Sequence, residues 1–415
     1  MKSKIHESKK MNPMSKKIQN GLLGAVILTA SMGSLIAQET QIRFFGQPEF
    51  QSQTTTKKGE YVPNPANPKL PPIWKDGTYT DSTKSAFNTG NFVLFITSQL
   101  TDRISILSEN TANVINGNAT FAIQRLMAKY YIKDYFSLRV GKMFDPLGYW
   151  NNQYNFGLVL QPTIQRPSII RAPSDGGVLE INNTGIQIEG DNITKARMFY
   201  RLFLSNGGGA TTIQNSLKNQ YALTGALGIE PVDGFKILAS AHYDVFNANT
   251  PNPAGVINVK GGKALNSNVS VVYMNPAKKF EFIGEYYYQT TRFDSIGEKS
   301  SQGLLTYAGY KVTNKFIPYV QYAYLQAGTR NSTDFYYAGA TNGVEIKIND
   351  ITFGMRYKFN ANFVVKFEYN YRISNQVYRD NSFVLQNPVL PGYIPGDKIG
   401  KTITQGPRIQ FAFAF

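Results

Sequence analysis

The feature that most constrains this chain is a strand of about ten residues, repeated many times, in which apolar and polar side chains alternate. "FKILASAHYDVF" (235–246) places Phe235, Ile237, Ala239, Ala241, Tyr243 and Val245 on one face. Lys236, Ser240, His242 and Asp244 fall on the other. "FVVKFEYNYR" (363–372) sets Phe363, Val365, Phe367, Tyr369 and Tyr371 against Lys366, Glu368, Asn370 and Arg372. "ITFGMRYKF" (351–359) repeats the pattern, with Thr352, Gly354, Arg356 and Lys358 on the polar side. Successive side chains of a strand point to opposite faces, so each segment reads as an amphipathic strand.

The connections alternate as well. Seven are tight: 101–103, 133–134, 190–194, 231–234, 275–279, 313–315 and 360–362. Eight are longer: 54–90, 113–117, 143–182, 205–218, 247–265, 293–300, 327–345 and 374–404. Together they join about sixteen strands, an even number. Short turns at one end and long loops at the other are the signature of a transmembrane antiparallel β-barrel of the outer-membrane type. Closure removes the two edges that an open sheet of this size would expose. A soluble propeller or a pair of sandwiches would show the same alternation with its apolar faces turned inward. Against it stand the loop rhythm, the N-terminal segment and an aromatic content of 13%, with Tyr 26 and Phe 27 against Trp 2. Aromatic rings favour half-buried pleated surfaces and membrane–water interfaces.

The chain ends "RIQFAFAF", with Ile409, Phe411, Phe413 and Phe415 on one face. On a barrel that face meets lipid and needs no covering core. A terminal aromatic strand also resembles the recognition signal of bacterial outer-membrane proteins. Phe411, Phe413 and Phe415 are therefore the expected assembly signal, read by the barrel assembly machinery.

At the other end, Lys2, Lys4, Lys9, Lys10, Lys16 and Lys17 precede the apolar run "GLLGAVILTASMGSLIA", Gly21 to Ala37. A basic region, a short apolar core and a small residue before "QET" make residues 1–37 a secretory signal peptide. Met11 and Met14 are further candidate starts. Residues 38–415 then form the barrel, with 54–90 and 143–182 as long loops. Of the +16 net charge, the signal carries six lysines and one glutamate, which leaves +11 on the rest. Basic charge on an exported chain points to anionic lipid or anionic solutes rather than nucleic acid.

Signals for chemistry are sparse. There are no cysteines, hence no disulfide and no thiolate site. The only histidines are His6, in the signal segment, and His242. One histidine cannot supply a His-rich metal site, and no phosphate loop or EF-hand loop appears. No catalytic residue, metal or cofactor is expected. A hydrolase built on His242 remains the enzyme alternative.

The polar face is more informative. Ten inward bases follow from the clear alternation: Arg139, Lys195, Arg197, Arg201, Lys236, Arg356, Lys358, Lys366, Arg372 and Arg408. The inward acids by the same rule are Asp244, Glu281, Glu285 and Glu368. The strand over 118–132 breaks its pattern near Gln124–Arg125, which indicates a bulge. A positive surplus in a narrow channel favours anions. Segment 143–182 contains Pro146, Pro162, Pro167 and Pro173, which rule out a continuous strand. Its apolar content is high for a solvated loop. The simplest packing folds it into the barrel mouth, where Arg166 and Arg171 become constriction candidates. An outward cap on the rim is the alternative.

"YFSLRVGKMFDPLGYWNNQ" (135–153) resembles the strand-then-loop segment of porins related to the phosphate-selective family. The stretch through "QPTIQRP", "DGG" and "NNTGIQI" resembles homologues of Bacteroidetes type. The resemblance covers the span from "TDRISILSE" to "TGIQIEG". Relatives often carry histidines where this chain has Asn155 and Phe156, and the lysine- and arginine-rich ladder of a phosphate channel is only partly present. The resemblance implies a porin of the bacterial outer membrane for passive diffusion of small hydrophilic solutes, with anions such as phosphate preferred and a homotrimer as the expected assembly. The alternatives are a carrier of hydrophobic compounds, an outer-membrane enzyme, or a receptor barrel without flux.

Export gives the first test. Mass spectrometry of protein recovered from outer membranes is expected to place the mature N-terminus near Gln38. Full-length chain in the cytosol would refute the signal.

Overall fold

The computed structural model describes residues 39–62, 73–115, 118–154, 161–171, 179, 181–207, 221–246, 250–251, 257–258, 262–293, 297–330, 344–378 and 398–415. The expected signal segment 1–37 lies outside the described residues. The rest closes into a barrel of sixteen antiparallel strands.

Strand β1 runs as Glu39–Gly46 and, past Gln47 and Pro48, as Glu49–Val62. Strand β2 comes in three pieces, Ile73–Thr80, Lys84–Asn88 and Asn91–Gln99. Strands β3 (Ile104–Ile115), β4 (Asn118–Lys133), β5 (Phe136–Phe144), β6 (Asn182–Ile193), β7 (Met198–Ser205) and β8 (Ala222–Val232) follow. Strands β9 (Phe235–Phe246), β10 (Gly262–Met274), β11 (Phe280–Phe293) and β12 (Gly297–Tyr310) continue the meander. It ends with β13 (Phe316–Arg330), β14 (Val344–Lys358), β15 (Phe363–Tyr378) and β16 (Lys398–Ala414). The short turns fall at 100–103, 134–135, 194–197, 233–234, 275–279, 311–315 and 359–362; six overlap the tight connections read from the sequence closely, whereas the connection expected at 190–194 is corrected to 194–197, because the preceding strand runs on to Ile193.

The expectation of a loop over 54–90 is corrected. Thr54 to Val62 belong to β1, and Ile73–Thr80 and Lys84–Asn88 belong to β2. Just beyond Phe50 and the exposed Phe87, whose tilted rings lie 4.9 Å apart, hydroxyls pair across the strands. Ser85 bonds Ser52 at 2.8 Å, Thr54 meets Thr83 at 2.7 Å and Thr56 meets Thr80 at 3.1 Å. Beyond the lipid band both faces of a sheet are wet, so no apolar alternation marks it. The expected bulge in β4 is present: Arg125 faces Glu109 and Ile123 faces Asn110, which leaves Gln124 as the extra residue.

Closure joins the first and last described strands. Phe44 N–H donates to Phe415 O at 2.9 Å, Phe415 N–H to Phe44 O at 3.0 Å, and Phe411 N–H to Pro48 O at 2.9 Å. From there β1 follows β16 out to Lys58↔Lys401. The aromatic stripe faces outward: Phe411 and Phe415 are exposed, whereas Arg408, Gln410 and Ala412 are buried. Phe415 stacks on Phe44 with centroids 5.4 Å apart. Gly46 has no Cβ because the ring of Phe413 would lie 2.5 Å from one. The seam is thus sealed by aromatic rings over small or flat partners.

Replacing Phe413 and Phe415 together by Ser is expected to cut the folded, heat-modifiable fraction at least several-fold, while a loop substitution leaves it unchanged. Gel migration before and after boiling reads this out, and full assembly of the double variant would remove the terminal strand from its assigned role.

Candidate functional site

Past the end of β5 at Phe144, residues 145–154, 161–171, 179 and 181 lie inside the barrel, packed on its inner wall. Two short helical turns form on the way, α1 (Tyr149–Gln153) and a 3-10 turn at Ser168–Ile170. Gly148 starts α1 with φ +78, a left-handed conformation that disfavours a side chain, and its N–H donates to Ser240 Oγ at 3.0 Å.

The descent is held by the wall. Glu285, on β11, accepts the N–H groups of Tyr149 (2.9 Å) and Trp150 (2.8 Å), together with the hydroxyls of Tyr287 (2.7 Å) and Ser270 (3.0 Å). Glu368, on β15, accepts the Ile164 N–H (2.6 Å) and the Tyr319 hydroxyl (2.8 Å). Lys366 donates to Thr163 O at 3.2 Å. These wall groups are fully desolvated, and each is satisfied by the loop it fixes. Between the anchors lies an apolar core. Leu147, Trp150, Ile169, Ile170 and Leu179 pack on Ile283, Tyr287, Leu305, Tyr307, Tyr319 and Leu325 of β11–β13. Burial also pushes the Tyr149 phenol above its ordinary range, so it stays a neutral donor.

The loop therefore covers the β10–β15 side. The β1–β9 side keeps its charged side chains facing the lumen. Arg139 pairs with Glu189 at 2.8 Å, and Lys129 reaches the same carboxylate at 2.7 Å. Arg201 meets Glu189 at 3.3 Å and Asp191 at 2.7 Å. Arg125 pairs with Glu109 at 2.5 Å and lies 4.2 Å over the Phe144 ring. Lys236 is 3.5 Å from Glu230.

Most residues expected on the pore wall are on strands and turned inward, though not all at one place. Arg356 is buried on Glu281 at 2.9 Å, with Lys358 half-buried at the end of the same strand. Arg372 stands opposite Asp350, and Arg408 opposite Glu368 and Gln51. Lys195 and Arg197 lie in the turn 194–197 instead. Lys195 is exposed there, and Arg197 pairs with Asp233 at 2.5 Å. Arg166 donates to Asn151 Oδ1 and Ile170 O, and Arg171 donates to Arg166 O and Gln165 Oε1. Both arginines thus tie the loop to itself.

Sequence reasoning missed Arg125 and Lys129, which follow the bulge, and the acids Glu109, Glu189, Glu230 and Asp350. Counting Gln124 as an extra residue recovers the first pair. The alternation in "GIQIEG" already placed Glu189 beside Gln187 on the inner face. His242 is buried on Asp145 (3.0 Å) and Thr224 (2.7 Å), where the loop leaves β5. That contact closes it off from the solvent a hydrolytic histidine needs.

An anion-selective porin from Comamonas acidovorans superposes with a TM-score of 0.55 at 11% identity, over 91% of this chain and 100% of that one. The fold is that of an outer-membrane porin. Salmonella typhi OmpF, in a complex with daunomycin, gives 0.53 at 12% identity over 91% and 97% of the two chains. Vibrio cholerae OmpT in its trimer form gives 0.50 at 12% identity over 91% and 99%. Identities this low carry the porin fold and nothing finer. No protein-family model matches the sequence, and no curated protein sequence does.

The anchors make a direct prediction. Glu285→Gln weakens two charge-assisted backbone hydrogen bonds, each worth ~1.5–3 kcal/mol. Trypsin cleavage after Arg171 in the folded barrel is expected to speed up by about tenfold or more, as the loop opens more often. An unchanged cleavage rate would mean that the loop does not depend on this carboxylate.

Proposed function

We propose that the protein is a porin of the bacterial outer membrane that lets small hydrophilic solutes diffuse along the β1–β9 side of its lumen. The observation that carries this reading is the division of the interior. One side is filled by an anchored loop, while the other presents charged and amide side chains around cavities of about 330 and 290 Å³. A binding receptor or a carrier of hydrophobic compounds would have no use for a wet, charged wall over half its circumference. An enzyme would need a reactive group open to that wall, and His242 is closed off from it.

A modest anion preference belongs to this reading. Lys129, Arg139 and Arg201 converge on Glu189, a local excess of positive charge that only Asp191 offsets further. Elsewhere bases and acids alternate around the wall, so the preference is smaller than a surplus of ten bases over four acids implies. The likeness to phosphate-selective porins adds phosphate as a candidate solute. A field screened over ~8 Å at physiological salt acts only where the lumen is narrow, and Arg166 and Arg171 on the loop are the residues proposed to act there.

Assembly as a homotrimer fits the outer surface. The shortest strands, β5 with 9 residues and β7 with 8, lie one strand apart. A tilted strand of that length rises roughly 20 Å, short of the ~25 Å apolar band. Their outer faces carry the exposed Val140, Leu202 and Leu204, and Ile186 lies between them on β6. A neighbouring copy on this low wall would shield what lipid cannot.

In planar bilayers under a KCl gradient, the reversal potential is expected to take the chloride sign, more strongly at low salt. Replacing Arg166 and Arg171 together by Ala is expected to reduce it. Cation preference in the unmodified channel would overturn the anion reading, and absence of conductance would overturn the porin reading.

A further inference from the structure

The cavity of about 290 Å³ lies between the loop and the wall near the short-turn end of the barrel. Its two sides differ in chemistry. The loop contributes Pro146, Tyr149, Asn152 and Gln153. The wall contributes Arg139, Arg201 and Lys236, the turn adds Arg197, and Asp191 and Glu230 are the acids present. Between these charged groups lie Phe199, Ala226 and Leu238, three apolar side chains on the inner face of β7–β9. Ala226 and Leu238 are buried, whereas Phe199 is partly exposed, and a phenyl ring among these charges has no role in passing chloride or phosphate.

Guanidinium groups carry five donors in a planar fork, and a single carboxylate partner leaves donors over. Arg201 holds Glu189 and Asp191 and also reaches Gly190 O and Tyr200 O, so it is spent on the wall. Arg139 bonds Glu189 through one terminal nitrogen, and its Nε is buried without an acceptor among the described residues. Arg139 also lines the neighbouring cavity of about 330 Å³ and so sits between the two. The Arg201 guanidinium lies 5.9 Å from the Phe199 ring, which brings charge and ring to one place.

We propose that this cavity is a transit subsite for small organic carboxylates with an apolar body, such as a monocarboxylate on a ring. The carboxylate takes the Lys236 ammonium and the exposed end of the Arg139 guanidinium, the ring lies on Phe199, and Tyr149 and Asn152 close over it from the loop. The inference rests on the porin reading and adds the class of solute. A ring of this size fits the cavity with room for water, which suits a site that must release what it takes up.

The test is conductance block in planar bilayers containing the full-length mature protein in KCl. Benzoate and acetate are added separately at matched concentrations. Benzoate is expected to reduce chloride current saturably, at about tenfold lower concentration than acetate, a difference of ~1.4 kcal/mol. Phe199→Ser is expected to bring the two half-block concentrations within about twofold of one another, with heat-modifiable gel migration confirming that the variant is folded. Equal block by benzoate and acetate in the unmodified channel, with chloride current intact, overturns the subsite and leaves the porin reading standing. No chloride current at all overturns the porin reading, and the subsite with it. Should Phe199→Ser fail to fold, the benzoate-to-acetate ratio of the unmodified channel still decides the matter.

Discussion

Backbone N–H and C=O groups in hydrocarbon have no water to bond, and that constraint governs the rest of the molecule. A strand that leaves one edge unpaired in lipid loses several kcal/mol for each exposed group. The sheet must therefore close, and closing it requires the first and last strands to find each other across the whole length of the chain. The pairing of Phe44 with Phe415 supplies the final rungs. Once closed, the sheet has only two faces, and the period-2 alternation distributes every side chain between lipid and lumen.

A lumen of sixteen strands is too wide to be filled by wall side chains alone. The described residues between β5 and β6 fill part of that volume on one side, and their seating follows the rules of a protein core. Apolar side chains pack on apolar wall positions, and the backbone donors freed by their turns are given carboxylate acceptors. Glu285 and Glu368 are stable in the interior because each accepts several hydrogen bonds, including donors from the loop itself. The polar half of the lumen stays open for a complementary reason. Its ion pairs are made between strands next to each other or one apart, such as Arg139 on β5 and Lys129 on β4 with Glu189 on β6, and so they do not reach across the pore.

Much of this was legible in the sequence. The strand count, all but one of the tight turns, the bulge at Gln124 and the inward faces of β9, β14 and β15 follow from alternation, because lipid on one side and water on the other keep it regular. The sheet over 54–62 and 73–88 was not legible, since above the bilayer both faces are hydrated and Thr, Ser and Lys serve equally on either. Glu109 escaped notice next to a bulge, and Glu230 next to a turn, where the period slips. The four prolines and the apolar content of 143–182 pointed to a packed segment. Only the fold could show that its partners are Glu285 and Glu368, which lie more than a hundred residues away in the chain.

The claim on which the account depends most is that this loop is packed inside the barrel. Trp150 reports on it, because the chain has only two tryptophans and Trp150 is fully buried between loop and wall. In a Trp74→Phe variant, the remaining fluorescence is predicted to be blue-shifted and to resist quenching by both aqueous iodide and bromine-labelled lipid. Strong quenching by iodide would place the loop outside on the rim, and strong quenching by brominated lipid would place Trp150 on the outer face; either result would contradict the account.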